Sequence, residues 1–338
     1  MGWFKGWPCS DLGLILLLIC SFGAGSATAA SSPDAKGILS LTIENDLFAD
    51  VDRHYTHGTR LSWLSPETEL PSWVELWADR MPLFASDGVK RLSFVFGQDI
   101  FTPDDITRSN LIQDDRPYAG WLYGSVGVVS DTGSRLDNLE LTLGIVGPAA
   151  LSRHSQRVVH EIIGADRPEG WSNQLHNEPG LVLTYERKWR SQRPLRDNGL
   201  ATDFTPYVGG SLGNVFTHAS VGMMGRIGFD LPADYGPPRI RPSLPGSDFF
   251  QPGSGLGGYL FVGVESRYVA RNIFLDGNSF RSSHQVKRKP VVGDIQMGAA
   301  FIWGQVRFAY THVFRSREFE GQNSADQFGA LTISARYR

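Results

Sequence analysis

Cysteine is almost missing from this chain of 338 residues. The two cysteines, Cys9 and Cys20, both lie within the first thirty residues, so a chain processed after that segment would hold none. This excludes disulfides, cysteine nucleophiles, thiolate-bound zinc and iron–sulfur clusters from the remaining protein. A secreted protein of this size without disulfides must be held together by its core or by its sheet alone.

The sequence also lacks an excess of charge of one sign and a long apolar run. The 32 basic and 35 acidic residues give a net charge of −3, which excludes a generic nucleic-acid-binding protein. After residue 30, no apolar run reaches the roughly 20 residues that a transmembrane helix needs. Hydrophobic residues make up 41% of the chain, which excludes a disordered protein. The 38 glycines and 12% aromatic residues, without a long helical pattern, indicate a β architecture.

The first 29 residues have the pattern of a secretory signal peptide. Lys5 supplies an early positive charge, residues 12–20 form a short apolar stretch, and Ala27-Thr28-Ala29 has the small residues of a cleavage site. The apolar stretch is shorter than a membrane-spanning helix. We therefore predict two parts, a signal peptide over 1–29 and a single domain over 30–338.

Short segments of the mature chain alternate between apolar and polar residues. Leu39, Leu41 and Ile43, for example, alternate with serine, threonine and glutamate. A period of two places the apolar side chains on one face of a strand. About twelve such segments lie near residues 38–45, 58–65, 90–101, 119–130, 136–147, 179–190, 203–213, 219–230, 255–271, 291–303, 305–317 and 327–337.

Two architectures share this alternation, a soluble β-sandwich and an outer-membrane barrel. The signal peptide, the absent cysteines, the even strand number and the strand at the C-terminus favour the barrel. The last residue, Arg338, departs mildly from the aromatic ending common in such barrels. The predicted fold is all-β, an antiparallel transmembrane β-barrel of about twelve strands in the bacterial outer membrane.

Two segments depart from the strand pattern. Residues 152–164 place Val159, Ile162 and Ile163 at helical spacing before Gly164, which predicts a short helix between two strands. His160 lies on this helix. Residues 232–256 are rich in proline and glycine and predict a long loop, which we expect at the outer rim.

Several polar segments could carry chemistry. Asn45 and Asp46 end the first strand, where carboxylate and amide oxygens can bind a hard cation such as calcium, although an ordinary polar loop has the same spacing. Histidine is the usual general base near neutral pH, but a lone histidine such as His160 is more often structural. Asp115-Arg116 is interpreted as a brace inside the lumen. The chain has no G-x-S-x-G motif, the signature of a serine hydrolase elbow.

Taken in their order along the chain, these segments resemble the outer-membrane lipid A 3′-O-deacylase family. The matching stretches are Asn45-Asp46, Tyr55-Thr56-x-Gly58, Gln98-Asp99-Ile100-x-x-Pro103, Asp115-Arg116, Gly144-Ile145-Val146-Gly147-Pro148 and Gln156-x-x-x-His160-x-Ile-Ile-Gly164-Ala165. The resemblance implies a twelve-stranded barrel with a calcium-dependent esterase site near its outer end. The implied substrate is lipid A, in lipopolysaccharide of the outer leaflet, which would lose its 3′-linked acyloxyacyl group.

The resemblance also implies roles for individual residues. The catalytic residues would be His160 as the general base that activates water, Asn45 and Thr56. The implied oxygen ligands of Ca²⁺ are Asp46, Thr56, Gly58 and Asp166. The chain has Asp166 where the relatives carry glutamate, and Glu161 and Glu169 are nearby substitutes. His57 adds a second imidazole beside the site.

Other assignments stay open at the level of sequence. Candidates to bind the substrate phosphates are Arg108, Arg116, Lys287, Arg288 and Lys289, although solvated loop charge explains each of them as well. Magnesium could replace calcium. The alternatives are an outer-membrane phospholipase with a Ser/His/Asn arrangement and a non-catalytic structural barrel or pore. We expect a membrane-embedded monomer with no nucleic acid, nucleotide, haem or flavin.

Overall fold

The computed structural model describes residues 36–46, 54–67, 70–195, 199–237, 249–251 and 255–337 of the chain. The predicted signal peptide, residues 1–29, lies outside the described residues and stays a prediction. Residues 47–53 of the predicted polar loop also lie outside them.

Antiparallel strands dominate the described residues. They are β1 (Gly37–Asn45), β2 (His54–Leu64), β3 (Val89–Thr102), β4 (Ala119–Asp131), β5 (Arg135–Val146), β6 (Glu178–Trp189), β7 (Ser191–Pro194), β8 (Leu200–Gly213), β9 (Phe216–Phe229), β10 (Leu256–Asn272), β11 (Val291–Trp303), β12 (Val306–Arg315) and β13 (Asp326–Tyr337). β1 pairs with β13 and β6 pairs with β8, so twelve strands close into a barrel. The short β7 pairs only with β8. The predicted number of about twelve strands is confirmed.

The barrel wall has the reverse polarity of a water-soluble protein. Leu41 points outward and is 41% exposed, whereas its neighbour Thr42 points into the lumen and is 3% exposed. Inside, the Thr42 hydroxyl lies 3.0 Å from that of Thr332 across the β1–β13 seam. An apolar outer face and a polar interior are the solution that lipid imposes on a barrel. The soluble β-sandwich is therefore excluded.

The strand directions define two ends of the barrel. The α2 end is the rim formed by Asn45, Thr102, Ala119 and Val146, and the terminus end is the rim formed by Gly37 and Tyr337. Both ends of the described chain therefore lie at the terminus end. Among the described residues, no helix is long and apolar enough to span a membrane.

The described connections contain three α-helices, α1 (Ser72–Arg80), α2 (Ser152–Ile163) and the four-residue α3 (Ile273–Asp276). The helix predicted over 152–164 is confirmed as α2. It ends at Gly164, whose φ of 72° is in the left-handed region that glycine adopts at little cost.

The lumen near the α2 end is filled by aromatic side chains. Phe101 stacks on Phe274 of α3 with ring centroids 4.0 Å apart, and Tyr55 packs edge-on against Phe328. Trp121 belongs to the same buried cluster. A lumen packed in this way conducts poorly, which weighs against the pore alternative.

The described part of the connection from β9 to β10 enters the opposite end of the lumen. Tyr235, Phe249 and Phe250 are buried there with residues of the wall. Asp234 is fully buried and pairs with Arg226 and Arg307, with 3.0 Å between its Oδ2 and the Arg307 Nη1. The described part of this loop and α2 therefore lie at opposite ends of the barrel, so the loop and the candidate site cannot both lie at the outer end as predicted. β9 runs towards the terminus end, and loop composition alone says nothing about strand direction.

Candidate active site

Helix α2 lies on the outer face of the barrel wall, not in the lumen. Gln98, on the same outward face of β3 as the exposed Phe94 and Phe96, donates from Nε2 to the Ala150 carbonyl at 2.6 Å. On β4, the missing side chain of Gly120 leaves the space that Ser152 occupies. The helix is therefore seated against β3 and β4 on the side that faces lipid.

One face of α2 is polar and buried against the wall. Ser152, Gln156 and His160 follow each other at intervals of four residues and are nearly inaccessible. The Gln156 Oε1 accepts a hydrogen bond of 2.8 Å from the indole of Trp171. Trp171 in turn packs in a small cluster with Ile100 of β3. These contacts hold α2 in place independently of any ligand.

The hydrogen bond of His160 determines which ring nitrogen is free. Its Nδ1 lies 2.6 Å from the backbone carbonyl oxygen of Asp166. A carbonyl oxygen only accepts, so Nδ1 carries the proton and Nε2 is the basic nitrogen. Among the described residues, none forms a hydrogen bond with Nε2. The predicted general base therefore has the required tautomer.

The ends of β1 and β2 face His160 from the wall. Asn45 and His57 are paired across the two strands and point outward, with 3.3 Å between the Asn45 Nδ2 and the His57 Nδ1. The other ring nitrogen of His57 lies 2.8 Å from the Thr59 hydroxyl. His57 and His160 are close enough to interact electrostatically. The structure thus brings the predicted His160 close to His57, which is itself paired with the predicted Asn45.

A β-bulge displaces Thr56 from the regular ladder. Tyr55 pairs with Phe101 and His57 pairs with Ile100, so Thr56 is an extra residue without an opposite partner in β3. Its buried hydroxyl lies 2.7 Å from the hydroxyl of Thr102. Bulges recur beside active sites because they re-aim one residue of a strand. The sequence did not indicate Thr102, because only strand pairing brings it to Thr56.

Gly58 faces the lumen behind this site. A side chain there would collide with the Tyr55 hydroxyl and come within 3.2 Å of the Glu44 carboxylate. Any contribution of Gly58 to a cation would therefore come from its backbone carbonyl. Asp46, directly after β1, is almost completely buried, so its carboxylate lies within the protein and not in solvent.

The donor set matches a hard cation in its chemistry. The side chains of Asp46, Asn45 and Thr56, and the carbonyls near the bulge, present oxygen atoms, which calcium prefers. Among the described residues, no group of three or more histidine, aspartate or glutamate side chains is placed to hold a metal. A calcium ion at this position would depend on backbone oxygens in addition to Asp46.

Asp166 reaches the site through its backbone, while its side chain is exposed. The proposed substitutes are engaged elsewhere, since Glu161 pairs with Arg157 at 2.9 Å and Glu169 lies 3.6 Å from Arg167. The ligand role of Asp166 therefore stays a prediction.

The candidate phosphate-binding residues are scattered. Arg116 is buried, with its Nη1 3.5 Å from the Glu318 Oε2, and this pair replaces the expected brace between Asp115 and Arg116. Lys287 pairs with Glu320 at 2.8 Å and Arg288 pairs with Asp276 at 3.0 Å. Lys289 contacts Glu318 through its backbone. Arg108 is exposed in the β3–β4 connection.

Known proteins are similar to this chain in sequence family and in fold. The family whose model matches residues 14–337 is described as outer membrane protein LpxR. The solved structure of LpxR from Salmonella typhimurium matches with a TM-score of 0.71 at 22% identity, covering 88% of this chain and 99% of that one. The β domain of the Bordetella autotransporter BrkA matches at 0.46 and 10% identity, covering 90% and 100% of the two chains. No curated protein sequence matches.

Proposed function

Because the chain belongs to the LpxR family of outer-membrane proteins, we propose that it is a lipid A 3′-O-deacylase. It hydrolyses the 3′-linked acyloxyacyl ester with His160 as general base and with calcium as cofactor. Its substrate is lipid A in the outer leaflet. The observation that carries this proposal is the seating of α2 on the outer wall, which leaves Nε2 as the basic nitrogen of His160 close to His57, the partner of Asn45.

The position of the site suits a lipid substrate. Leu151, Val158 and Ile162 are exposed on the face of α2 that is turned away from the wall, opposite His160. An acyl chain moving in the membrane plane along the wall could reach the site without entering the packed lumen. Both ends of the described chain lie at the opposite end of the barrel, and outer-membrane barrels have their longer loops outside the cell. The loop lengths thus support a position of α2 at the outer leaflet.

Calcium would be held by the Asp46 carboxylate together with oxygens of Thr56, Gly58 and Asp166. When bound, such a cation polarises an ester carbonyl and stabilises negative charge on its oxygen. The chain's own residues do the rest. The Asp166 carbonyl holds the imidazole in one tautomer, and Nε2 accepts the proton of the attacking water. The Asn45 amide is held by its contact with the His57 ring.

The arrangement favours water as nucleophile over a serine. Among the described residues, no serine hydroxyl is hydrogen-bonded to His160. Ser152 lies on the same face of α2, but eight residues separate it from His160, which is about 12 Å along a helix. The phospholipase alternative, which needs a Ser/His pair in contact, therefore has less support.

The test is mass spectrometry of purified lipid A after incubation with the refolded barrel, with calcium or with a chelator. We expect calcium-dependent loss of the 3′ acyloxyacyl unit. His160→Ala should lower the rate about 10²- to 10⁴-fold, the usual contribution of a general base. His154→Ala is the matched control, because His154 lies on the exposed face of the same helix.

Each arm can contradict one part of the proposal. An active His160→Ala variant would contradict the assignment of His160 as general base. Activity in the presence of chelator would contradict calcium as cofactor. An unchanged lipid A mass with a folded barrel would contradict lipid A deacylation, and phospholipids would then be tested as substrates.

A further inference from the structure

Helix α1 has an apolar side that the protein does not cover. Trp73, Leu76 and Trp77 are 72%, 52% and 43% exposed. Isolated exposed apolar residues are common, but two tryptophans and a leucine on one nine-residue helix are not explained by chance exposure.

The helix has three distinct faces. At about 100° per residue, Trp73, Leu76 and Trp77 fall within an arc of about 100°. Val74 and Ala78 come next around the helix and are buried. The remaining arc holds Ser72, Glu75 and Asp79, and Asp79 pairs with Lys90 at 2.6 Å. Arg80, in the last turn, falls within the apolar arc. A surface helix of a water-soluble protein has one face packed on the protein and one face in water. A helix that also contacts lipid has a third, exposed apolar face.

The buried face of α1 packs on the outside of the barrel. Val74 and Ala78 lie in one cluster with Val128, and Leu92 and Leu139 pack against it. These wall residues lie near the terminus end of β3, β4 and β5. Two residues further along each strand, towards the α2 end, Phe94, Val126 and Leu141 are exposed on the same outward face. The helix therefore sits at the lower edge of the apolar wall that contacts lipid.

Aromatic residues mark the same level elsewhere around the barrel. Trp189, Trp303 and Tyr337 end their strands at the terminus end and are exposed. Tryptophan and tyrosine collect at the depth where acyl chains meet headgroups, because their rings are apolar with a polar edge. Trp73 and Trp77 extend this belt beyond the strands.

We propose that α1 is an in-plane membrane helix that inserts Trp73, Leu76 and Trp77 into the phospholipid surface at the terminus end of the barrel. Nine residues span only about 14 Å, so the helix lies on the membrane and does not cross it. The occupant of the exposed face is the bilayer interface, because that face continues the lipid-facing wall. The helix fixes the depth at which β3–β5, and hence α2 on the same strands, sit in the membrane. This inference needs only the barrel, not the proposed reaction.

Spin labels on single cysteines test this inference. Because Cys9 and Cys20 are the only cysteines, replacing them with serine gives a background in which one new thiol is unique. Leu76→Cys and Glu75→Cys provide a matched pair, both exposed but on different faces of α1. Each labelled full chain is reconstituted in phosphatidylethanolamine–phosphatidylglycerol vesicles. The label at 76 should collide more with oxygen than with a water-soluble nickel complex, and the label at 75 should show the reverse.

Equal access of the nickel complex to both labels would overturn the proposal and favour a protein partner for the exposed face. A second measurement uses the unmodified chain and so does not depend on the folding of the cysteine variants. Tryptophan fluorescence of the unmodified chain is quenched by phospholipids brominated near the headgroup, and the Trp73→Phe/Trp77→Phe chain is the reference. Greater quenching of the unmodified chain supports insertion, and equal fractional quenching contradicts it.

Discussion

The Nδ1 atom of His160 lies 2.6 Å from the backbone carbonyl oxygen of Asp166, six residues further along the chain. The left-handed turn at Gly164 brings this carbonyl back against the last turn of α2. The imidazole is therefore oriented by main chain, not by a carboxylate. One consequence is that the side chain of residue 166 can be changed without disturbing the bond that holds His160.

Asp166 can thus be tested separately from His160. Asp166→Glu should keep activity, and Asp166→Ala should raise the calcium concentration needed for half-maximal deacylation, because only the side-chain ligand is altered. The measurement is a calcium titration of lipid A deacylation. Complete inactivity of the glutamate variant would contradict a simple ligand role and indicate a stricter geometric requirement.

Asp46 is the buried carboxylate of the predicted metal site. Asp46→Asn should raise the calcium requirement or eliminate activity, because it removes the negative charge that attracts the cation. Asp105→Asn, an exposed change at the same end of the barrel, is the control. An identical calcium titration for Asp46→Asn and the unmodified chain would rule out the ligand assignment.

The seating of α2 depends on the absence of a side chain at Gly120. A methyl group there would collide with Ser152 and come within 3.1 Å of the Ala150 Cβ. Gly120→Ala should push α2 from the wall and lower deacylation by about 10²-fold, the cost of about 1 Å of misplacement at a catalytic site. Gly124→Ala on the same strand is the control, since its new methyl would approach nothing closer than 3.7 Å. Equal activity of the two variants would show that α2 does not need this contact.

The described part of the β9–β10 connection fills the lumen at the terminus end and is called the plug here. Asp234 lies at its centre of charge pairing. Its carboxylate is shared by Arg226 and Arg307 inside the lumen. Removing one partner of a buried ion pair costs about 3–5 kcal/mol, so Asp234→Ala should lower the urea midpoint of unfolding from vesicles. Asp87→Ala removes an exposed carboxylate near the same end and should leave the midpoint unchanged. Matching midpoints for the two variants would show that the plug does not stabilise the barrel.

Glu318, in the connection between β12 and β13, predicts a pH dependence of stability. Burial opposes its ionisation, but Arg315, Arg116 and Arg267 together hold its pKa below the ordinary 4.5. The ionised form is thus favoured in the folded barrel, and its stabilisation is complete above about pH 4.5 and is lost as the pH falls through the lower folded-state pKa. Unfolding midpoints should drop in this acidic range for the unmodified chain and less for Glu318→Gln. Parallel pH profiles would contradict this role.

Strand positions could be predicted because they depend on local patterns. Each of the twelve predicted segments overlaps one strand of the closed ring, and the β11 range 291–303 has the same bounds in both. Helix α2 could be predicted for the same reason, from apolar spacing and from Gly164. The strand alternation and the helical spacing can each be recognised within a few consecutive residues.

Contacts between distant residues could not be predicted. Arg116 was expected to brace Asp115, yet its guanidinium meets Glu318, 202 residues away. Thr56 was identified by its motif, whereas its partner Thr102 has no motif and becomes its neighbour only through the bulged pairing of β2 with β3. The resemblance supplied candidate residues, but the direction in which each side chain points depends on strand pairing and register.

By itself, the sequence determined the all-β class, the strand boundaries, the apolar outer face and the helix that carries His160, because side-chain period and turn residues act over short distances. Only the tertiary structure decided that α2 lies on the lipid side of the wall, that the β9–β10 connection enters the opposite end, and that α1 turns two tryptophans outward. These features follow from the direction and closure of strands, which each residue influences only through partners far away in the chain.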